Sequence, residues 1–337
     1  TITVNGILSL EGTATVSAAP TYGASATLQY KGTNVQTTGP ELTATIPNLT
    51  IDNVNGVILS LSPVISGALT LTNGKFLVTV TVTAGQSKVY GIVDPILAYT
   101  VTSGNLVSGN FFSGALSREA GENVIDSPYA IIQNGLTAGA NYTITFVSAN
   151  FAITAKPLTI TATGPTKIYG TALTIGTSAT NFTHSGEISG ETVTSLTLTP
   201  DTAGLSATTA AGASYAITPS APTGTGGFLE SNYSVTYNNY SGTVSKKELT
   251  VGGSFTANNK IYDGNTTATI NNNSLTLIGV VGAETVTLTP ILVFSDKEVG
   301  TGKTVSITTD SLLGGGGAGN YNLSLIGAPT SIADIFS

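Results

Sequence analysis

The chain has 337 residues, 40% of them hydrophobic and only 9% charged, with 18 acidic side chains against 11 basic ones and a formal charge of −7. So few, scattered cations exclude a nucleic-acid surface, because release of counterions from a phosphate backbone needs clustered Lys and Arg. The absence of cysteine removes disulfide scaffolds, zinc ribbons and thiol nucleophiles while leaving the redox compartment open.

That length suits two to four domains. Thr, Val, Ile and Tyr dominate the patterned stretches, and such side chains fit a pleated, half-buried surface better than a helix, so the expected class is all-β. In residues 1–76, short strands are punctuated by Gly and by Asn-Gly pairs at Asn5, Asn55 and Asn73, a strong corner signal. The stacked "LTIDN", "VILSL" and "ALTLTNGKF" read as rungs of a parallel β-solenoid, with a further sandwich as the alternative. The most apolar run, "GVILSLSPVISGALTL" from Gly56, is broken by serines and Pro63. It falls short of the roughly 18 unbroken apolar residues of a membrane span, so no span is expected here. No basic and apolar leader opens the chain, which reads as a mature or internal piece of something longer. In "IDNVNG", Asp52, Asn53 and Asn55 carry oxygens suited to calcium, but Val54 breaks the alternate ligand spacing. Local turn bonding is the expectation, a structural calcium the alternative, and no other cofactor is implied.

From residue 77 the chain repeats itself. "SKVYG" (Ser87 to Gly91), "TKIYG" (Thr166 to Gly170) and "NKIYDG" (Asn259 to Gly264) each follow an alternating strand, and Lys88, Lys167 and Lys260 stand 79 and 93 residues apart. Those spacings are whole small domains. Later come "YAII" (Tyr129), "YAIT" (Tyr215) and "VSIT" (Val305), then "NYTITF" (Asn141), "NYSVTY" (Asn232) and "NYNLSL" (Asn320). Three modules follow: 77–155, 156–245 and 246–337. Their period-two runs of five to eight residues predict small immunoglobulin-like β-sandwiches. Linkers of only a few residues predict a rod.

These motifs carry a family resemblance. Residues 77–337, with "KVYG", "GALSREAGENV", "YAI" and "NYTITF", resemble the tandem MBG (YGX-type) and YDG domains of large bacterial surface adhesins. The first two modules look like the MBG type. The third, with "KIYDGNTTATI", "FSDKEVGTGKTVSI" and "AGNYNLS", looks like the YDG type. Residues 1–80 resemble a segment found beside such modules in very long secreted proteins of Bacteroidota, often exported by the type IX system. The resemblance implies an exported stalk or filament and carries over no catalytic residue.

The motif residues themselves are Lys88, Tyr90 and Gly91; Lys167, Tyr169 and Gly170; and Lys260, Tyr262, Asp263 and Gly264. They are read as a turn after each module's first strand. Gly264 supplies the permissive backbone, Asp263 bonds the local chain, and the Tyr262 ring lies over the sandwich edge with its hydroxyl near a backbone partner. Asp263 has no counterpart in the other two copies, which argues against a catalytic acid. His184, the only histidine, is expected in a solvated loop, since metal sites and nucleophilic triads lack their parts. Glu119 with Glu122 and Asp296 with Glu298 could pair as a glycosidase needs, but read as edge charges. A Lys-to-Asn isopeptide bond joining Lys88, Lys167 or Lys260 to Asn141, Asn232 or Asn320 would staple a cysteine-free rod, yet no acid recurs in all three modules to promote it. "DTA" and "DSL" make Thr202 and Ser311 candidates for O-glycosylation.

The expected function is therefore a non-enzymatic, extracellular stalk or filament segment of a bacterial cell-surface adhesin. Its partners would be neighbouring modules of a longer chain, copies of itself in a filament, or surface glycans. A polysaccharide- or ice-binding module built on threonine rows such as Thr79 to Thr83 is one alternative. An accessory region of a secreted glycosidase is the other.

Overall fold

The computed structural model describes residues 2–337, and its regular structure is almost wholly β-strand, with one helical turn at Thr202–Leu205 and three 3-10 turns among the described residues. No helix among the described residues is long and apolar enough to cross a membrane. The chain forms two compact units. One runs up to Lys156 and takes in Ser231–Ser234, and the other comprises Pro157–Glu230 and Val235–Ser337.

The first unit opens as a parallel β-solenoid. Ile7–Glu11, Thr27–Gly32, Asn48–Asn53 and Leu69–Asn73 stack as one wall. Their register places Leu8, Leu28, Leu49 and Leu69 in one ladder and Leu10, Tyr30, Ile51 and Leu71 in the next. Period-two alternation makes this work: the apolar residues line the inside, while Ser9, Gln29, Thr50 and Thr70 form the outer column. Each fully buried Leu or Ile stabilises the stack by about 1.5–3 kcal/mol. A second wall stacks Gln36, Val57 and Phe76 in register, and Thr45–Ile46 pairs with Val64–Ile65 in a third. Gly74 turns a corner at φ +87, where an added Cβ would lie 1.7 Å from the Asn53 carbonyl oxygen, so only glycine fits.

Phe76 ends the solenoid and begins the first sandwich. It pairs with Val57 in the last coil, and its strand Phe76–Val82 then lies between Tyr99–Ser103 (antiparallel) and Tyr142–Val147 (parallel). Along this strand Phe76, Val78, Val80 and Val82 are buried and the residues between them are not. The opposing sheet orders Gln86–Val89, Asn150–Thr154, Tyr129–Ile132 and Ser117–Arg118. One core cluster runs from Leu28, Ile46 and Leu59 through Phe76 to Val107 and Tyr142, so solenoid and sandwich share an interior.

The second unit holds two more sandwiches of the same plan. In one, Lys156–Ala162 pairs antiparallel with Phe182–Ser185, opposite a sheet of Gly176–Ser178, Thr192–Pro200, Ser214–Thr225 and Tyr240–Thr243. In the other, Lys247–Ala257 lies between Ile270–Ile278 (antiparallel) and Tyr321–Ser324 (parallel). Val251, Phe255, Phe294, Val305 and Ile335 fill its core.

Candidate functional site

The recurring Lys-x-Tyr segment, followed by Gly directly in the first two copies and after Asp263 in the third, is the best-defined repeated constellation, and it joins an edge strand to a turn. Lys and the residue after it lie on an edge strand or bridge that pairs in parallel with the last strand of the same module. Val89 pairs with Thr154, Ile168 with Ser245, and Ile261 with Phe336. The turn follows at once in the first two copies, where the Ile92 N–H donates to the Val89 carbonyl and the Thr171 N–H to the Ile168 carbonyl around Tyr90-Gly91 and Tyr169-Gly170; Gly91, Gly170 and Gly264 stand at φ +78, +85 and +79. The segment is also tied to the closing strand: the N–H groups of Tyr90, Tyr169 and Tyr262 donate to the carbonyls of Thr154, Ser245 and Phe336.

The three lysines are held by different partners. Lys88 Nζ bridges Asp94 at 2.6 Å and Glu122 at 2.7 Å, and Arg118 contacts the same two carboxylates while lying over the Tyr129 ring. Burial pushes the Asp94 carboxyl up, but the hydrogen bonds from Arg118 and Lys88 outweigh it and hold the group below its ordinary value. Lys167, fully buried, donates instead to the backbone carbonyls of Thr171 and Ser206, and burial pulls its ammonium below the usual lysine value. Lys260 donates to Asp263 and to the Asn265 carbonyl, both at 2.7 Å, and lies over the Phe294 ring; Asp263 also accepts from the Asn265 N–H. The ammonium groups of all three lysines are thus engaged by groups other than Asn141, Asn232 or Asn320. Two of those asparagines are used elsewhere, as described next.

The tyrosines make the decisive arrangement. Tyr90 is 6% and Tyr169 is 2% exposed. Tyr90 packs edge-on against Tyr233, with ring centroids 5.5 Å apart, and Tyr169 packs edge-on against Tyr321 at 5.4 Å. Each partner is the tyrosine of the following repeat's Asn-Tyr pair. The asparagine beside it caps the preceding module: Asn232 Oδ1 accepts the Val124 N–H at 2.9 Å, and Asn320 Oδ1 accepts the Ala211 N–H at 3.0 Å. Both pairs follow a 3-10 turn, Glu230–Asn232 or Ala318–Asn320, which delivers the asparagine at the head of its strand. In the second unit the contact is completed by Glu284, whose two carboxylate oxygens accept from the Tyr169 and Tyr321 hydroxyls. These bonds hold the Glu284 carboxyl below its ordinary value. Conversely, the hydrogen bond to Glu284, with burial, pushes Tyr169 up to about 12. The Val281 N–H donates to the Tyr321 hydroxyl at 2.8 Å. The first module repeats that detail at its solenoid end, where Val107 N–H donates to Tyr142, whose ring packs on Phe76 at 5.5 Å.

Tyr262 departs from its two counterparts. The residue is 46% exposed. Gly264 likewise has open space where a Cβ would point, whereas a Cβ on Gly170 would lie 2.5 Å from Val281.

The remaining candidates resolve as structural groups. His184 lies on the strand Phe182–Ser185, not in a loop, with Nδ1 against the Glu187 carboxylate. A cleft of about 490 Å³ is lined by Asp94, Arg118, Glu119 and Glu122, but two of its three acids are ion-paired to Lys88 and Arg118. Asp296 is bound by Lys303 at 2.5 Å and by the Glu298 N–H. In "IDNVNG", Asp52 accepts from Asn73, and Asn53 donates to Gln36 and to the Asn34 carbonyl while accepting the Asn55 N–H, so these oxygens bind the solenoid itself. Ser311 is corrected as a glycosylation candidate: it is 7% exposed and its hydroxyl accepts the Ile291 N–H at 2.9 Å. Thr202 stays exposed on the helical turn capped by Asp201. Sequence reasoning missed Glu284 and also Glu41, which is buried in the solenoid with its carboxylate accepting from Tyr30 at 2.7 Å and from the Gly39 N–H. The repeated "ETVT" at Glu191 and Glu284 was the available signal for the first, and no repeat marks the second.

Fold and junctions define a class: tandem β-sandwich modules whose Asn-Tyr ends receive the Lys-x-Tyr-Gly ends of their neighbours, following a parallel β-solenoid. Comparison with known proteins finds two domains: residues 78–152 match the MBG domain (YGX type) and residues 245–331 match the YDG domain. The chain thus carries both of the domain types its motifs resemble. No curated protein and no solved structure gives a significant match.

Proposed function

We propose that this chain is a non-enzymatic stalk or filament segment of a bacterial cell-surface adhesin, placed outside the cell. The observation that carries the reading is the repeated junction: Tyr90 with Tyr233 and Asn232, then Tyr169 with Tyr321 and Asn320, make the same contact in two places. A device that fixes each module on the next suits a spacer that transmits position and force. Some hydroxyls on the sheet faces bond one another, Thr81 with Thr102 and Ser195 with Thr223. That leaves them less free to order water or sugar than an ice- or polysaccharide-binding face needs.

The test is immunogold imaging of the native surface with an antibody against residues 246–337. Label along extended surface fibres is the expected result. Label confined to the cell interior, or hydrolysis of a polysaccharide by the purified chain, would overturn the proposal.

A further inference from the structure

We infer that the closing strand of each sandwich is half of a shear clamp, a contact that carries tension along the chain, and that the clamp of residues 77–155 outlasts that of residues 156–245. In each module a segment near the point of entry runs parallel to the strand by which the chain leaves. Gln86–Val89 pairs in parallel with Phe151–Thr154, Ile168 bridges Ser245 in parallel, and Lys260–Ile261 pairs in parallel with Ile335–Phe336. Tension pulls the early segment toward its N-terminal end and the late strand toward its C-terminal end. Parallel strands loaded in that way must slide past each other, so the evenly spaced bonds between them share the load instead of opening one at a time. In the first module the strand Phe76–Val82 adds a second parallel pairing of the same sense, Phe76–Thr81 against Tyr142–Val147.

The first clamp is also locked against creep. Sliding by one residue exchanges the two faces of a strand, and the inward residues here are Lys88 and Tyr90, both buried. Lys88 Nζ is held by Asp94 at 2.6 Å and Glu122 at 2.7 Å, so a one-residue slip would pull a buried ammonium off both carboxylates. On the closing strand Phe151 and Ile153 are buried in the same way. The Thr154 hydroxyl donates to the Lys88 carbonyl at 3.2 Å, beside the bond from the Tyr90 N–H to the Thr154 carbonyl. The second module has the same direction but less length: one bridge, with the Tyr169 N–H donating to the Ser245 carbonyl and the Ser245 N–H to the Lys167 carbonyl. Rupture under load is set by the unfolding barrier, so four residue pairs broken together hold longer than one. The clamp rests on the stalk reading only for its use in the cell: it can fail while surface fibres still label, and it can hold if they do not.

The test is single-molecule force spectroscopy on the full chain, in which the absence of cysteine leaves two introduced thiols as the only handles. Ala84→Cys with Ala155→Cys loads Gln86–Val89 and Phe151–Thr154 at opposite ends, in shear. Ala84→Cys with Asn150→Cys loads the same two strands at the same end and peels them apart. Ser148→Cys, just before the closing strand, gives a second peeling handle should Asn150→Cys disturb the fold. Thr163→Cys with Lys246→Cys is the matching shear pair in the second module, four residues before Lys167 as Ala84 is before Lys88. The chain released at rupture, up to about 3.5 Å per residue between the handles, shows that a folded module was loaded. The expected result is a rupture force severalfold higher in shear than in peeling, and higher in the first module than in the second. Shear no stronger than peeling would overturn the clamp, and a second module as strong as the first would overturn the ranking.

Discussion

Gly170 and Gly264 provide a paired perturbation in which the backbone cost is shared and only the junction differs. Both sit at positive φ, +85 and +79, where an L-residue costs about 1–2 kcal/mol, so Ala at either position should destabilise by that amount. At Gly170 the new methyl would also lie 2.5 Å from Val281 Cγ2, and a β-branched side chain cannot easily swing away. Overpacking of that kind adds about 1–3 kcal/mol. At Gly264 the methyl meets nothing. A chain of several modules does not unfold in one step, so a single melting temperature would blur the difference. Native-state hydrogen exchange at Val281 and Tyr321 reads the opening of the junction directly. Gly170→Ala should therefore speed exchange at these two amides by about five- to 150-fold more than Gly264→Ala. Equal acceleration in both variants would refute the claim that close approach of the next module is what requires glycine at 170.

Three further outcomes follow from the same contacts. Asn232 is fully buried and caps the Val124 N–H; Asn232→Ala should cost about 1–3 kcal/mol, seen as faster exchange of the Val124 amide. Because the Glu284 carboxyl is held below its ordinary 4.5 by bonds from Tyr169 and Tyr321, its contribution is present above that value and lost as pH falls through the lower, folded one. Exchange at Tyr321 should thus accelerate in acid, and Glu284→Gln should remove that dependence. Tyr169 is shifted the other way, from 10.0 to about 12, so its bond stabilises below pH 10 and is lost as pH rises through about 12. Difference titration of phenolate absorbance against Tyr169→Phe should show one late-ionising tyrosine missing.

Much of this molecule is written in local pattern. Alternation in "FLVTVTV" announces the strand Phe76–Val82 because a residue's face depends only on whether its position is odd or even. The repeated Lys-x-Tyr-Gly and Asn-Tyr pairs announce three modules because a repeated fold needs the same residues at the same places, and the "LTIDN" and "ALTLTN" rungs announce a solenoid. What those pairs are for was not local. The sequence shows that Tyr90, Tyr169 and Tyr262 are equivalent, but two are buried and one is half exposed, because burial depends on what packs on a residue from another module. Likewise Ser311 and Thr202 carry the same short signal, and only the packing around Ile291 hides the former. Composition and periodicity determined an all-β, repeated, cysteine-free chain. Only tertiary structure decided that its recurring tyrosines are the fittings between modules, since a contact between residues 152 positions apart, Tyr169 and Tyr321, leaves no trace in either segment alone.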